Sequence, residues 1–284
     1  MFARYKTKWY DLLRFSERYT KTDMVYLFEN GSWLLFKRVV TTLSVFLVAI
    51  AFGRFFPKEA YGTYKYILST ISLLSVLTLS GMEAAVTQAV ARGFDRFLIE
   101  AYRSRLKWNT LASAVAAGIG IYYFFLGNYA FASIYALVAI AFPWWNAAQL
   151  YDAYLQGKTN FKKSSNLAVL QQVVLTVCLL LAIVAFPKTF LPITLVWIAV
   201  QAGSTIFYYR RVARSMSHAA LSDPDGMRYG KHLSFMNVLS LIANQIDDVL
   251  VFQFIGPEQL AVYSFAIAIP EQIKGVLSSL GTIA

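Results

Sequence analysis

Apolar runs long enough to cross a bilayer alternate along this chain with short segments that hold nearly all of its charge. The runs over 33–56, 61–91, 110–126, 131–155, 167–186 and 191–209 predict six helices, and two more flank Gly256-Pro257. Gly31-Ser32 reads as a break and an N-cap ahead of the first. Gly127-Asn128 and Pro187-Lys188 leave room only for tight hairpins, whereas 92–107 and 156–165 are basic. Within 92–107, Phe94, Phe97, Leu98 and Ala101 recur on one helical face, which predicts a separate helix lying on the membrane surface. The basic stretch 4–29, with Trp9, Leu12 and Tyr19 among its lysines and arginines, is expected to lie on an anionic surface in the same way. The expected fold class is all-α, a polytopic membrane protein with about eight transmembrane helices.

Residues 233–265 echo residues 33–66 as helix, short loop and helix, with Glu258 opposite Glu59 and Tyr263 opposite Tyr64. Such an echo predicts a two-lobe, parallel-repeat architecture. The expected division is an amphipathic arm over 1–31, a first six-helix lobe over 32–209, a polar linker over 210–231, and the first two helices of a truncated second lobe over 232–284.

Composition agrees with the pattern. The chain is 58% hydrophobic and 14% charged, with a mean hydropathy of +0.52, more apolar surface than one soluble core can hide. The 26 Lys+Arg against 15 Asp+Glu, net +11, would in a soluble protein point to nucleic acid. Here the bases collect in alternate loops, the topology signal of a membrane protein, and they predict a cytoplasmic N-terminus. Membrane lipids, not nucleic acids, are the partners this distribution implies.

No Gly-rich phosphate loop, metal-spaced Cys/His set or Ser/His/Asp arrangement is present, and the external loops are too short for a catalytic domain. The chain therefore reads as no enzyme and as needing no cofactor. His218 and His232 fall in or beside the polar linker and read as solvated; Cys178, inside an apolar run, reads as packing. What stands out is charge at membrane depth: Asp247 and Asp248, then Glu271 and Lys274, and Lys37 and Arg38. An Asp at a helix centre costs roughly 2.5 to 3.5 kcal/mol on insertion scales, so such residues face a bundle interior or water. Neighbours on a helix point roughly 100° apart, so Asp247 is expected to line a cleft while Asp248 packs against its own lobe, unless a base such as Arg54 neutralises both. Glu271 and Lys274 can neutralise each other, Lys37 and Arg38 can snorkel to the headgroups, and Glu83 can pair with nearby arginines. Pro143 should kink the fourth helix. The polar side of that helix, Asn146, Gln149 and Asp152, either lines a cavity or, for Asp152, meets the interface.

The segments AFGRFFPKEAYGTYKYILSTISLLSVLTLSGMEAAVTQAVARG, YLQGKTNFKKSS and NQIDDVLVFQFIGPEQLAVYSFAIAIPEQIKG resemble Wzx-type oligosaccharide flippases. These are the polysaccharide-transporter family of the multidrug/oligosaccharidyl-lipid/polysaccharide exporter superfamily. The resemblance implies 12 to 14 helices in two lobes around a central cavity, moving a polyprenyl-diphosphate-linked oligosaccharide outward across a bacterial or archaeal inner membrane. It implies coupling to a sodium or proton gradient and polysaccharide polymerase machinery as a further partner. Counting residues puts Lys37 and Arg38 roughly 8 to 9 Å inside helix 1 and Lys274 roughly 24 Å below the outer loop, levels that nearly coincide in a core of ~30 Å. These three bases are the expected diphosphate ligands. Two other functions compete: a cation-coupled drug antiporter of the same superfamily, disfavoured by those bases, and a membrane glycosyltransferase or polymerase, disfavoured by the short loops.

Overall fold

The structure is a computed structural model that describes the backbone of residues 24–216 and 223–281, and the side chains of 31–216, 223–268 and 270. The arm before residue 24, His218, and the side chains of Glu271 and Lys274 lie outside the described residues. The described residues are almost all helical, with no strand among them. Helix α1 spans Met24–Phe55, and α2, Lys58–Leu74, passes through a single 3-10 turn, Ser75–Leu77, into α3, Met82–Ala91. Next come α4 (Phe97–Phe125), α5 (Tyr129–Ala148), α6 (Leu150–Gly157), α7 (Phe161–Ala185) and α8 (Phe190–Arg214). The last three are α9 (Gly226–Ala243), α10 (Ile246–Phe254) and α11 (Pro257–Gly281).

Among the described residues five stretches are long and apolar enough to cross a membrane: Gly31–Phe55, Tyr129–Gly157, Phe161–Ala185, Phe190–Arg214 and Gly226–Phe254. A sixth is the pair Lys58–Leu77 and Met82–Ala91, bent by 60°. The expected count of eight is not reached on this test, because α4 carries Arg103, Arg105 and Lys107 in its first half and α11 runs past the described side chains. The protein is a multi-pass membrane protein. Leu181, Ile140 and Ile50 are 66%, 67% and 64% exposed, an outer surface suited to acyl chains.

In lipid, helices associate by close van der Waals packing and interhelical hydrogen bonds. The α4–α5 hairpin follows that rule. Ala112 and Ala116 of α4 present small side chains to Ile134, Tyr135 and Val138 of α5, all fully buried. Asn128 turns the chain between them, its side chain accepting from the Phe131 amide at 3.2 Å. Asn160 caps α7 in the same manner through the Lys163 amide, at 3.2 Å. Two ion pairs, Arg92–Asp223 and Lys158–Asp95 (2.8 Å), tie the loops after α3, α6 and α8 together, so these basic loops share one end of the bundle. The turns at 56–57, 126–128, 186–189 and 255–256 form the opposite end by chain order.

Several expectations change. Gly31-Ser32 does not break α1, which runs back to Met24. A helical Gly costs only ~1 kcal/mol against Ala, and Gly31 is buried. Residues 92–107 form no separate surface helix. Phe97, Leu98 and Ala101 are fully buried in a cluster with Val86 and Val90 of α3, Leu155 of α6 and Val212 of α8, and the same helix continues into the membrane-spanning half of α4. An amphipathic face looks the same in sequence whether it meets lipid or protein. Within the expected linker 210–231, α8 continues to Arg214 and α9 starts at Gly226.

Pro143 does not interrupt α5; the break falls at Gln149. Pro143 has no amide hydrogen, so the Ala139 carbonyl lacks its helical donor. The Ser113 hydroxyl of α4 donates to that carbonyl instead, and Asn109 Nδ2 donates to the Pro143 carbonyl at 3.0 Å. The neighbouring helix thus satisfies what proline removes.

Candidate functional site

A cavity of ≈ 790 Å³ opens among α1, α3, α6, α7 and α8, towards the basic end. Its wall is polar inside an otherwise apolar bundle. Six glutamines contribute: Gln88, Gln149, Gln156, Gln171, Gln172 and Gln201. Thr41, Thr87 and Thr205 add hydroxyls, Lys37, Glu83 and Asp152 add charge, and Tyr229 of α9 lies at the edge. Short-range order comes from pairings across helices. Gln171 Nε2 of α7 donates to Gln201 Oε1 of α8 at 2.5 Å. Asp152 accepts from Gln156 at 3.0 Å and from the Ser164 hydroxyl, and Lys37 Nζ stands 3.6 Å from the same carboxylate.

Behind this cavity lies a buried polar network. Arg105, whose side chain is 3% exposed, donates through Nη1 to Glu83 Oε1 at 3.0 Å and through Nε to Asn146 Oδ1 at 3.0 Å. Asn109 Nδ2 reaches the same Asn146 oxygen at 3.2 Å. The spacing 105, 109 and 113 places three polar groups on one α4 stripe, all spent on α3 and α5.

A second cavity, ≈ 370 Å³, lies where α2 meets the break between α9 and α10. Asp247 and Asp248 both line it, with Lys65, Ser69, Gln245 and Tyr263. The α9–α10 helix stops at Asn244-Gln245 and restarts at Ile246, so both acids occupy the first turn of a new helix, where the helix dipole favours negative charge. Ser69 Oγ donates to Asp248 Oδ2 at 2.5 Å, and Tyr263 Oη stands 3.5 Å from Asp247 Oδ2. Further along, Tyr66 stacks on Phe252 at 3.9 Å and accepts from Gln253 Nε2 at 2.9 Å. These contacts join α2 to α10.

A family of polysaccharide biosynthesis proteins matches residues 27–284. The chain belongs to that family, the family of Wzx-type flippases. No curated protein and no solved structure matches the chain. Family membership supports a role in polysaccharide or lipid-linked oligosaccharide transport, and members are generally transporters rather than enzymes.

For this Wzx-type chain the structure distributes the sequence-predicted residues unevenly. Gln149 lines the larger cavity; Asn146 does not, because its oxygen is taken by Arg105 and Asn109. Asp152 and Lys37 both line that cavity and stand 3.6 Å apart as an ion pair. Arg38 is half-buried with its Nε lacking a hydrogen-bond partner. Glu83 has the arginine partner expected for it, Arg105. Asp247 and Asp248 both line the second cavity, and Asp248 is also bonded to Ser69 of α2. The base beside them is Lys65; Arg54 lies over the Phe55 ring at 5.8 Å. Lys65, Arg105, Asp223 and the glutamines of α3, α7 and α8 escaped the sequence reading. Glutamines on three helices far apart in sequence carry no local signal, though their presence in apolar runs could have flagged them.

Proposed function

We propose that this protein moves a polyprenyl-diphosphate-linked oligosaccharide from the cytoplasmic to the outer leaflet of an inner membrane by alternating access between two lobes, with its N-terminus in the cytoplasm. The observation that carries this reading is the polar cavity of ≈ 790 Å³ at the basic end of an apolar bundle, in a chain of a polysaccharide-exporting family. Polar walls at membrane depth are expensive unless a hydrophilic cargo uses them. Arg38 and Lys274 are the bases proposed for the diphosphate, Lys37 being held by Asp152. Asp247 and Asp248, facing Lys65 across the second cavity, are proposed to couple transport to sodium or protons: a cation or proton on Asp248 would loosen its hold on Ser69 and free α10 from α2. Membrane lipids and the polysaccharide polymerase machinery are the proposed partners.

The test is deletion of the gene from its host. Lipid-linked oligosaccharide should accumulate behind the inner membrane, inaccessible to an externally added glycosidase, and wild-type protein should clear it whereas Asp247→Asn should not. An unchanged lipid-linked pool would sink the proposal. The two acids in one cavity also favour a second reading, a cation-coupled small-molecule antiporter. That reading predicts increased drug susceptibility on deletion and no such pool.

A further inference from the structure

We propose that the glutamine-lined cavity grips uncharged sugar units of the glycan, while the diphosphate is held elsewhere; the inference rests on the transporter reading above. Charge is the first argument. Lys37 is neutralised by Asp152 at 3.6 Å, and Glu83 by Arg105 at 3.0 Å from behind the wall. The four charges cancel, so a diphosphate entering here would shed its hydration and meet no uncompensated base. An uncharged ligand faces no such penalty.

The amides are the second argument. Each glutamine offers two N–H donors and a carbonyl acceptor, the complement of a sugar hydroxyl, which both donates and accepts. Structural glue accounts for one pair, since Gln171 and Gln201 bond each other across α7 and α8. It does not account for Gln88 of α3, Gln149 at the α5–α6 junction and Gln172 of α7, which also line the cavity. Thr41 and Thr87 donate their hydroxyl hydrogens to the Lys37 and Glu83 carbonyls at 2.9 and 3.0 Å, leaving oxygen lone pairs turned to the cavity as acceptors. Tyr229, 42% exposed at the edge, supplies an aromatic face for the C–H side of a sugar ring. At ≈ 790 Å³ the space is in the range that encloses a ligand of several rings.

The experiment is calorimetric titration of the protein in lipid nanodiscs with three neutral trisaccharides, maltotriose, cellotriose and chitotriose, and with inorganic pyrophosphate. At least one trisaccharide should bind, and saturating pyrophosphate should not displace it. The double substitution Gln88→Leu/Gln172→Leu should weaken binding about tenfold, the loss expected when an amide's hydrogen bonds to the ligand go. Gln149→Ala is the second variant, expected to weaken binding at an unchanged melting temperature. Binding of none of the three, displacement by pyrophosphate, or wild-type affinity in both variants overturns the inference. If the trisaccharides fail while gene deletion still traps lipid-linked oligosaccharide, the sugar site is wrong and the transporter reading stands; bound trisaccharide with an unchanged lipid-linked pool removes the transporter reading instead.

Discussion

Replacing Gly62 with alanine should pry α11 away from α2. A Cβ at Gly62 would lie 1.8 Å from the Pro257 carbonyl oxygen, 2.7 Å from its carbon and 3.2 Å from its Cα. All three are backbone atoms at the start of α11, so no side chain can swing aside. Restoring a contact of ~3.5 Å requires a retreat of about 1.7 Å. The stack of Tyr61 on Phe265, 4.6 Å between centroids, bridges the same two helices and would open with it. Overpacking costs ~1–3 kcal/mol and a lost aromatic pair ~0.5–1.5 kcal/mol, against which the better helix propensity of alanine returns ~1 kcal/mol. A net loss of ~0.5–3.5 kcal/mol shifts the closed-to-open ratio of this contact about 2- to 400-fold. The reporter is Ser264, 3% exposed on α11, converted to cysteine in a Cys178→Ser background. Thiol labelling should rise and the melting temperature fall in Gly62→Ala. Gly53→Ala is the control, because its Cβ would meet only Phe265 at an ordinary 3.8 Å. Identical labelling and melting in the two variants would refute the packing argument.

Ser113→Ala should destabilise the protein by ~1–3 kcal/mol by stranding the Ala139 carbonyl, and adding Pro143→Ala should recover most of that loss by restoring the helical amide; additive melting shifts would contradict it. Asn146→Leu should lower the melting temperature, because Arg105 Nε and the Asn109 amide both lose their acceptor, while Asn146→Asp, which keeps one, should be tolerated; equal effects of the two would refute the network. Asp152→Asn should leave Lys37 without its carboxylate and create pyrophosphate binding in the larger cavity, measurable by the same titration; a wild-type response would mean that Lys37 is not held by that pair.

The fold class was written in the sequence because a bilayer imposes length and apolarity on every span, and those are one-dimensional properties. The hairpin at Gly127-Asn128 and the echo of 33–66 in 233–265 were legible for the same reason: turn chemistry and repeats are local. The helix boundaries keep the echo, with α1 ending at Phe55 and α10 at Phe254, and α2 starting at Lys58 and α11 at Pro257. Charged residues at depth were visible as types, and Gln149 was picked out by its spacing on one helix. Their partners were not visible, because partnership spans the fold: Lys37 meets Asp152 of α6, Asp248 meets Ser69 of α2, and Arg105 joins Glu83 to Asn146. Whether the face of Phe97, Leu98 and Ala101 met lipid or protein was equally undecidable, since both are apolar. Tertiary structure alone set the break at Gln245 beside the cavity that both acids line, and gathered glutamines from separate helices into one polar wall. Periodicity along a helix orients a side chain; only the packing of helices says what it faces.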